Sequence, residues 1–231
     1  MDMKKNAAEK AVESIQDGMK IGLGTGSTAY WAIVRIGELV REGLNIEAVA
    51  TSKASELLAL EHGITLTPFQ QIGRLDLAID GADELDSQLR LIKGGGGALL
   101  REKITAFHSD QLLIVADESK SVSALGTFPL PVEIVPFAKE WTCDAIESLG
   151  CSVQLRKDES GDLYVTDNGN YIVDCNFGII NYPEQLQQHL KRIPGVVEHG
   201  LFIGMADKAF IGRSDGAVDV MDKKPAANNS G

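Results

Sequence analysis

The chain has 231 residues, of which 44% are hydrophobic, and a formal net charge of −11. This supports one sizeable core, or a main domain with a small insert. Basic residues are mixed among acidic ones with no Lys/Arg block, which argues against nucleic acid as the main partner. The polar first ten residues argue against a signal peptide, and no apolar run reaches membrane-spanning length, so no membrane partner is expected.

The cysteine and histidine content predicts an intracellular chain without a metal centre built from these residues. Cys143, Cys151 and Cys175 are odd in number and form no C-x-x-C pair, which favours the reducing cytoplasm over secretion. The four histidines are scattered without metal-ligand spacing. We therefore expect neither a metal site of His and Cys nor a disulfide framework.

Hydrophobic periodicity in the first half indicates a helix near residues 4–16, followed by alternating strands and helices. The predicted elements are strands Met19–Leu23, Ile46–Ala50, Leu75–Ile79 and Gln111–Ala116, and helices Ala29–Val40, Lys53–Glu61 and Gly97–Phe107. Apolar strands that alternate with helices predict an α/β fold with a parallel sheet covered on both faces. Ligands of such sheets bind at the carboxyl ends of the strands.

After Lys120 the pattern changes to a β-α-β-β-α order, which predicts a small α+β domain over residues 127–195. Its predicted elements are strands Val132–Val135, Ser152–Leu155, Leu163–Val165 and Tyr171–Asp174, and helices Lys139–Leu149 and Pro183–Leu190. The later strands Val196–Ile203, Ala209–Ile211 and Ala217–Met221 are expected to rejoin the main sheet. The main domain then comprises residues 1–126 and 196–231, and its polar end, Lys223–Gly231, is expected to be disordered.

The loop Gly22–Thr28 is the strongest single indication of a ligand. Its glycines allow close approach of the backbone to an anion, and the helix that follows presents free N–H groups. A P-loop needs a Lys that is absent here, and a dinucleotide fingerprint needs a different glycine spacing. Thr51-Ser52-Lys53, after the next strand, suits a second anion contact better than a ribose diol. A small phosphorylated metabolite and a plain tight turn remain as alternatives.

Two carboxylates follow the strand Leu75–Ile79, in Asp80-Gly81-Ala82-Asp83-Glu84. They lie where a ligand of a parallel sheet is expected. An acidic turn that caps the next segment explains the same residues. A site for Mg²⁺ is a further alternative, because carboxylates attract this ion.

A second glycine run, Lys93-Gly94-Gly95-Gly96-Gly97, is conformationally costly and indicates a backbone that surrounds an oxyanion. Lys93 supplies a positive charge, and Glu102 lies in the first turns of the next helix. Taken alone, Glu102 is typical of a solvated helix residue. Asp117-Glu118-Ser119-Lys120 follows another strand, so that several polar segments are expected to meet at one edge of one sheet.

Together these segments predict proton transfer on a sugar phosphate. The set contains anion-binding loops, cations and carboxylates, without a cofactor fingerprint. A Glu base can remove a proton next to a carbonyl, while cations or N–H donors stabilise the resulting enediolate.

The ordered motifs resemble the ribose-5-phosphate isomerase A family over about residues 4–221. The resemblance rests on Gly22–Thr28, Thr51-Ser52, Asp80–Glu84, Lys93–Ala98, Arg101-Glu102-Lys103, Asp117-x-Ser119-Lys120, Asn170–Asp174 and Pro194–Phe202. It implies interconversion of ribose 5-phosphate and ribulose 5-phosphate in the pentose phosphate pathway. It also implies a Rossmann-like main domain, a ferredoxin-like small domain, a homodimer or homotetramer, and neither a metal nor an organic cofactor.

By position, the resemblance makes Glu102 the proton acceptor, with Asp80, Asp83 and Lys93 as further catalytic residues. The substrate site it implies comprises Thr25, Gly26, Ser27, Thr28, Asp80, Gly81, Ala82, Asp83, Lys93, Gly94, Gly95, Gly96 and Lys120. The division of roles among Asp80, Asp83 and Lys93 stays open. The phosphate has three alternative positions: either glycine loop, or a site of Ser/Thr and Lys side chains.

Two other classes of protein compete with an isomerase. A non-catalytic sugar-phosphate sensor would normally carry a DNA-binding helix-turn-helix and a basic face. The first strand is expected near residue 19 and the chain is acidic, both of which argue against the sensor class. A CoA transferase would use a Glu as nucleophile rather than as base. A phosphosugar lactonase of similar architecture is a further alternative.

Overall fold

A computed structural model describes residues 2–223 of the chain. The helices are α1 (Met3–Val12), α2 (Ala29–Arg41), α3 (Lys53–Glu61), α4 (Phe69–Ile72), α5 (Leu99–Phe107), α6 (Lys139–Glu147) and α7 (Pro183–Lys191). The strands are β1 (Lys20–Leu23), β2 (Glu47–Ala50), β3 (Leu75–Gly81), β4 (Glu84–Leu85), β5 (Leu91–Ile92), β6 (Ser109–Asp117), β7 (Leu130–Ile134), β8 (Ser152–Leu155), β9 (Tyr171–Asn176), β10 (Val196–His199), β11 (Leu201–Phe202), β12 (Lys208–Gly212) and β13 (Val218–Asp222). None of the described helices is long and apolar enough to span a membrane.

The main sheet has six strands in the order β2-β1-β3-β6-β12-β13, of which only β13 is antiparallel. Apolar side chains from α1, α2 and α3 cover one face, while Ala106 of α5 packs in the cluster on the other face. The predicted parallel sheet with helices on both faces is confirmed. From β1 the chain first adds β2 on one side and then β3 on the other side. A topological switch point therefore lies between β1 and β3.

The second sheet is antiparallel, in the order β10-β7-β9-β8, and encloses a core of its own with α6 and α7. The element order is β-α-β-β-α-β, that of a ferredoxin-like unit. β10 therefore belongs to this unit, although the sequence placed residues 196–231 in the main domain. After α7, the turn at Pro194-Gly195 returns the chain to β7, where His199 pairs with Val132. The division into two domains otherwise stays a prediction.

A three-stranded sheet, β11-β5-β4, joins the two larger sheets. The predicted strand Val196–Ile203 is thus two strands in two sheets, divided at Gly200. The backbone is crowded there, because a Cβ on Gly200 would lie 2.2 Å from the carbonyl oxygen of Lys93. Lys93 follows β5, so it reaches the site from this small sheet and not, as predicted, from the main one.

Three local expectations also need correction. Helix α1 ends at Val12, because the next residues form tighter turns before Gly18, whose φ is +81°. The predicted strand Leu163–Val165 makes only isolated bridges, Lys157 to Leu163 and Val165 to Tyr171. Lys223 is held by a backbone hydrogen bond to Asp207 of 2.8 Å. The rest of the predicted disordered tail, residues 224–231, lies outside the described residues.

Candidate active site

A cleft of about 490 Å³, including its open mouth, lies at the switch point of the main sheet. The residues that line it are Lys4, Thr25, Gly26, Ser27, Thr28, Gly81, Ala82, Asp83, Lys93, Gly94, Gly95, Gly96, Glu102 and Lys120. Every residue predicted for the site is among them except Asp80, and Lys4 is an addition.

Lys93 is the centre of the site and is only 2% exposed. Its Nζ lies 2.9 Å from Asp80 Oδ2 and 3.3 Å from Glu102 Oε1. It also donates a hydrogen bond of 2.6 Å to the carbonyl oxygen of Gly81. An ammonium group has three donors, so these three acceptors satisfy it. The Phe202 ring covers another side, with its centroid 5.4 Å from Nζ.

Asp80 lies behind the cleft and supports its wall. Its Oδ1 accepts hydrogen bonds from the backbone N–H of Thr25 at 3.0 Å and of Gly81 at 2.8 Å. The carboxylate touches the backbone so closely that a Cβ on Gly24 would lie 2.2 Å from Oδ1. One residue of the first glycine loop is therefore explained by contact with Asp80 and not by contact with a ligand.

Glu102 is a carboxylate of the cleft lining that keeps one unpaired oxygen. It is 5% exposed, contrary to the solvated position typical of such a helix residue. Oε1 faces Lys93, whereas the buried Oε2 has no hydrogen-bond partner among the described residues. Buried polar atoms are normally paired, so an unpaired one at a cleft marks a functional position.

The electrostatics of this cluster favour a proton on Glu102. Burial, and then the negative charge of Asp80, raise the pKa of Glu102 to about 8, although Lys93 opposes the shift. Burial alone would lower the pKa of Lys93, but the charges of Asp80 and Glu102 outweigh it and the pKa is raised. Lys93 therefore stays a cation, and Glu102 is the group that exchanges a proton near neutral pH.

The second glycine loop is shaped around Asp83. The backbone N–H of Gly95 donates to Asp83 Oδ2 at 2.7 Å, and a Cβ on Gly95 would lie 2.5 Å from Oδ1. Gly94 and Gly97 have φ values of +105° and +77°, which side chains rarely adopt. Three of the four glycines thus have a structural reason for being glycine, and the loop still lines the cleft.

The hydroxyl groups of Thr51 and Ser52 lie behind the first loop and not in the cleft, where an anion contact was predicted. They lie 2.7 Å and 2.9 Å from Thr25 Oγ1. Both residues are buried, and Lys53 is exposed outside the cleft. They fix Thr25 rather than bind a ligand directly.

Lys4 is the site residue that the sequence did not reveal. Its Nζ donates a hydrogen bond of 2.9 Å to Ser27 Oγ. Lys120, in a short 3₁₀ helix after β6, adds a second cation to the lining. An acidic chain needs such local cations to bind an anion. Lys4 lies 23 residues before Ser27, and no motif in the sequence connects them.

The magnesium alternative finds no support in the arrangement of the carboxylates. Within residues 2–223, no group of three or more His, Cys, Asp or Glu side chains is placed to hold a metal ion. Asp80 is already paired with Lys93, and Asp83 accepts a hydrogen bond from Gly95.

A parallel α/β sheet with a buried carboxylic acid, a buried cation and free loop N–H groups at its switch point is typical of an enzyme that moves protons on a small anion. The family model for ribose 5-phosphate isomerase A (phosphoriboisomerase A) matches residues 47–216. The chain belongs to this family.

Individual relatives cover nearly the whole chain. The ribose-5-phosphate isomerase A of Bacillus mycoides is 55% identical over 218 residues, which are 94% of this chain and 98% of the relative. The ribose 5-phosphate isomerase structure from Plasmodium falciparum is 40% identical and superposes with a TM-score of 0.93 over 96% of this chain and 99% of its own. A D-ribose-5-phosphate isomerase structure in complex with phospho-erythronic acid is 38% identical, with a TM-score of 0.92 over 96% of this chain and 100% of its own.

The raised pKa of Glu102 predicts a pH-dependent stability that E102Q removes. Between its ordinary pKa of 4.5 and about 8, the folded chain keeps a proton that the unfolded chain has lost. Stability therefore falls as pH rises through this window. We expect the unfolding free energy of the wild type, relative to E102Q, to fall by up to about 1.4 kcal/mol per pH unit. Urea unfolding at pH 4, 6, 8 and 9 measures this, and a pH-independent difference would contradict it.

Proposed function

We propose that Glu102 is the base with which this enzyme interconverts ribose 5-phosphate and ribulose 5-phosphate. The observation that carries the proposal is the unpaired Oε2 of a buried carboxylic acid at the cleft. A carboxylate with a pKa near 8 is a stronger base than an ordinary Glu, and it can return the proton at neutral pH.

In this mechanism the sugar opens to its aldehyde, and Glu102 removes the proton from C2. The electron pair of that C–H bond forms the C1–C2 double bond of an enediolate, and the carbonyl electrons move to the oxygen of C1. A proton then passes from the hydroxyl on C2 to the oxygen of C1. The electron pair on the oxygen of C2 forms the ketone, the C1–C2 double bond takes the proton back from the Glu102 carboxylic acid at C1, and Glu102 is a carboxylate again. One base serves both carbons because they are adjacent and lie on the same face of a cis-enediol.

The roles of the neighbouring groups follow from their access to the cleft. Asp83 lines it and is placed to move protons at the ring oxygen and the hydroxyl groups. Asp80 does not line it, so we assign it the task of holding Lys93 and the Thr25 backbone. Lys93 acts as the fixed positive charge beside Glu102, and the loop N–H groups stabilise the enediolate oxygens.

We place the phosphate at the first glycine loop. Lys4 and Lys120 line the cleft with Gly26, Ser27 and Thr28, and this loop opens helix α2. The positive end of a helix and two cations favour a doubly charged group. Lys93 has its three donors occupied by Asp80, Glu102 and Gly81, so it has none left for a phosphate at the second glycine loop. We therefore assign the reacting carbons to the second loop, beside Glu102.

We also propose that the chain is a homodimer or homotetramer and works in the cytoplasm. Phe137 and Trp141 belong to the ferredoxin-like unit of β7–β10, α6 and α7, called the small unit below. They are 84% and 78% exposed and border a surface hollow with Ile193 and Pro194. Clustered exposed apolar groups are typical of subunit interfaces. The three cysteines are free thiols, which suits a reducing compartment, and fractionation of the source cells tests that location.

E102Q tests the base directly. We expect it to lower kcat at least a hundredfold with KM within about threefold, because loss of a general base acts on the transition state. The assay follows ribulose 5-phosphate formation by chelator-treated protein, whose wild-type activity should be unchanged by the chelator. The exposed Glu61 of α3 supplies the control, E61Q. Near-normal turnover by E102Q would remove Glu102 from the role, and an inactive wild type that still binds the sugar phosphate would favour the sensor class.

K4Q and K120Q test the phosphate position. Loss of one charge-assisted hydrogen bond, worth ~1.5 kcal/mol, should raise KM for ribose 5-phosphate about tenfold while kcat stays within about threefold. K10Q is the matched control, since Lys10 lies on α1 but is exposed and pairs with Glu13. Unchanged KM in both variants would place the phosphate elsewhere.

W141K tests the subunit interface. A charge in an apolar interface costs several kcal/mol, so sedimentation equilibrium should show an oligomer for the wild type and monomers for W141K. Leu57, which is 69% exposed on α3, provides the control L57K. A monomeric wild type, or a W141K oligomer of unchanged mass, would contradict the proposal.

A further inference from the structure

The small unit reaches the second glycine loop through one arginine. Arg156 follows β8, and its Nε donates to Asp174 Oδ2 at 2.9 Å while Nη2 donates to Oδ1 of the same carboxylate. Its Nη1 donates to the carbonyl oxygens of Gly94 and Gly95, both at 3.0 Å. A single guanidinium thus ties β9 of the small unit to the loop that lines the cleft.

This contact fixes the direction of the loop N–H groups. In a trans peptide the C=O of one residue and the N–H of the next point in opposite directions, and no described peptide is cis. Since the carbonyls of Gly94 and Gly95 point at Arg156, the N–H groups of Gly95 and Gly96 point away from it. The first of them reaches Asp83 at 2.7 Å, as this geometry requires.

The second of them, the N–H of Gly96, is left for the substrate. Gly96 lines the cleft, and its N–H has no acceptor among the described residues. A backbone donor that is held in place before the reaction stabilises a developing oxyanion without reorganising.

We infer that Arg156 is a positioning residue for the isomerisation: it holds two loop carbonyls so that the Gly96 N–H faces the enediolate oxygens. The inference rests on the proposed function of the cleft. Four consecutive glycines have no intrinsic preference for this conformation, so contacts must hold it. The loop has one turn hydrogen bond of its own, from the Gly97 N–H to the Gly94 carbonyl at 2.9 Å, and Arg156 adds a constraint on both carbonyls from the small unit. Tyr164 supplies a second contact from the same unit, since a Cβ on Gly97 would lie 2.3 Å from its hydroxyl oxygen.

The geometry of arginine suits this task in a way that lysine cannot reproduce. The planar guanidinium binds Asp174 with two nitrogens and still presents a third to the loop. Asp174 also neutralises its charge. Arg156 therefore acts on the reaction through the loop conformation and not as an additional cation for the substrate.

R156Q tests the inference by separating turnover from binding. We expect kcat to fall ten- to a hundredfold, with KM changed less than threefold. Complete removal of an oxyanion donor lowers kcat by about a hundred- to a thousandfold, and R156Q only loosens the donor. Affinity for phospho-erythronic acid, whose carboxylate resembles the enediolate, should fall with kcat, while affinity for inorganic phosphate should not. R156K should not restore kcat. R90Q is the matched control, since the Arg90 and Arg156 side chains are 21% and 15% exposed and each pairs with a carboxylate. Arg90 bonds to Asp86 and Glu184, whereas Arg156 also bonds to the glycine loop.

Several results would overturn the inference: an unchanged kcat in R156Q, a rise in KM alone, or an equal fall of kcat in R90Q. If R156Q does not fold, as judged by urea unfolding, D174N loosens the same guanidinium and the same criteria apply. An inactive wild type, or a fully active E102Q, would instead defeat the proposed function. The two failures are therefore distinguishable.

Discussion

The burial of the Lys93 ammonium is the constraint on which the site depends. A buried cation is tolerated only when paired charges and hydrogen bonds replace the lost water. Asp80, Glu102 and the Gly81 carbonyl provide them, and they come from β3, from α5 and from the end of β3 again. Because two carboxylates share one cation, their repulsion adds to burial and holds a proton on the one that faces the cleft. The stable ion cluster and the reactive base are therefore the same arrangement.

The glycine loops are consequences of this packing as much as binding loops. Gly24 has no room for a side chain because Asp80 packs against it, and Gly95 has none because Asp83 packs against it. Each carboxylate in turn accepts a backbone N–H, so the loops and the acidic turn fix one another. The substrate then finds donors already oriented, which is the usual source of electrostatic stabilisation of a transition state. In our account Arg156 completes this by constraining the loop from the small unit.

The sequence predicted elements whose signal is local. Helix Lys53–Glu61 and strand Ser152–Leu155 have the predicted bounds, because their signals are local. The helix is capped by the adjacent Ser52, and exposure alternates along the strand itself. Strand β10 was assigned to the wrong sheet, since an apolar strand does not specify its partner. The burial of Glu102 depends on a lysine that arrives from another sheet, and Lys4 joins the site only through the packing of α1. The motifs indicated the site, but its distances depend on tertiary contacts that periodicity does not contain.

The buried cluster around Lys93 and Asp80 keeps Glu102 protonated until the pH is well above the pKa of an ordinary carboxylic acid. The most direct measurement is titration of the Glu102 side-chain carboxyl carbon by ¹³C NMR in the substrate-free protein, with E102Q to assign the resonance. We expect a midpoint near pH 8. A midpoint near 4.5, the ordinary value, would contradict it, because Glu102 would then be a plain ion-pair partner of Lys93.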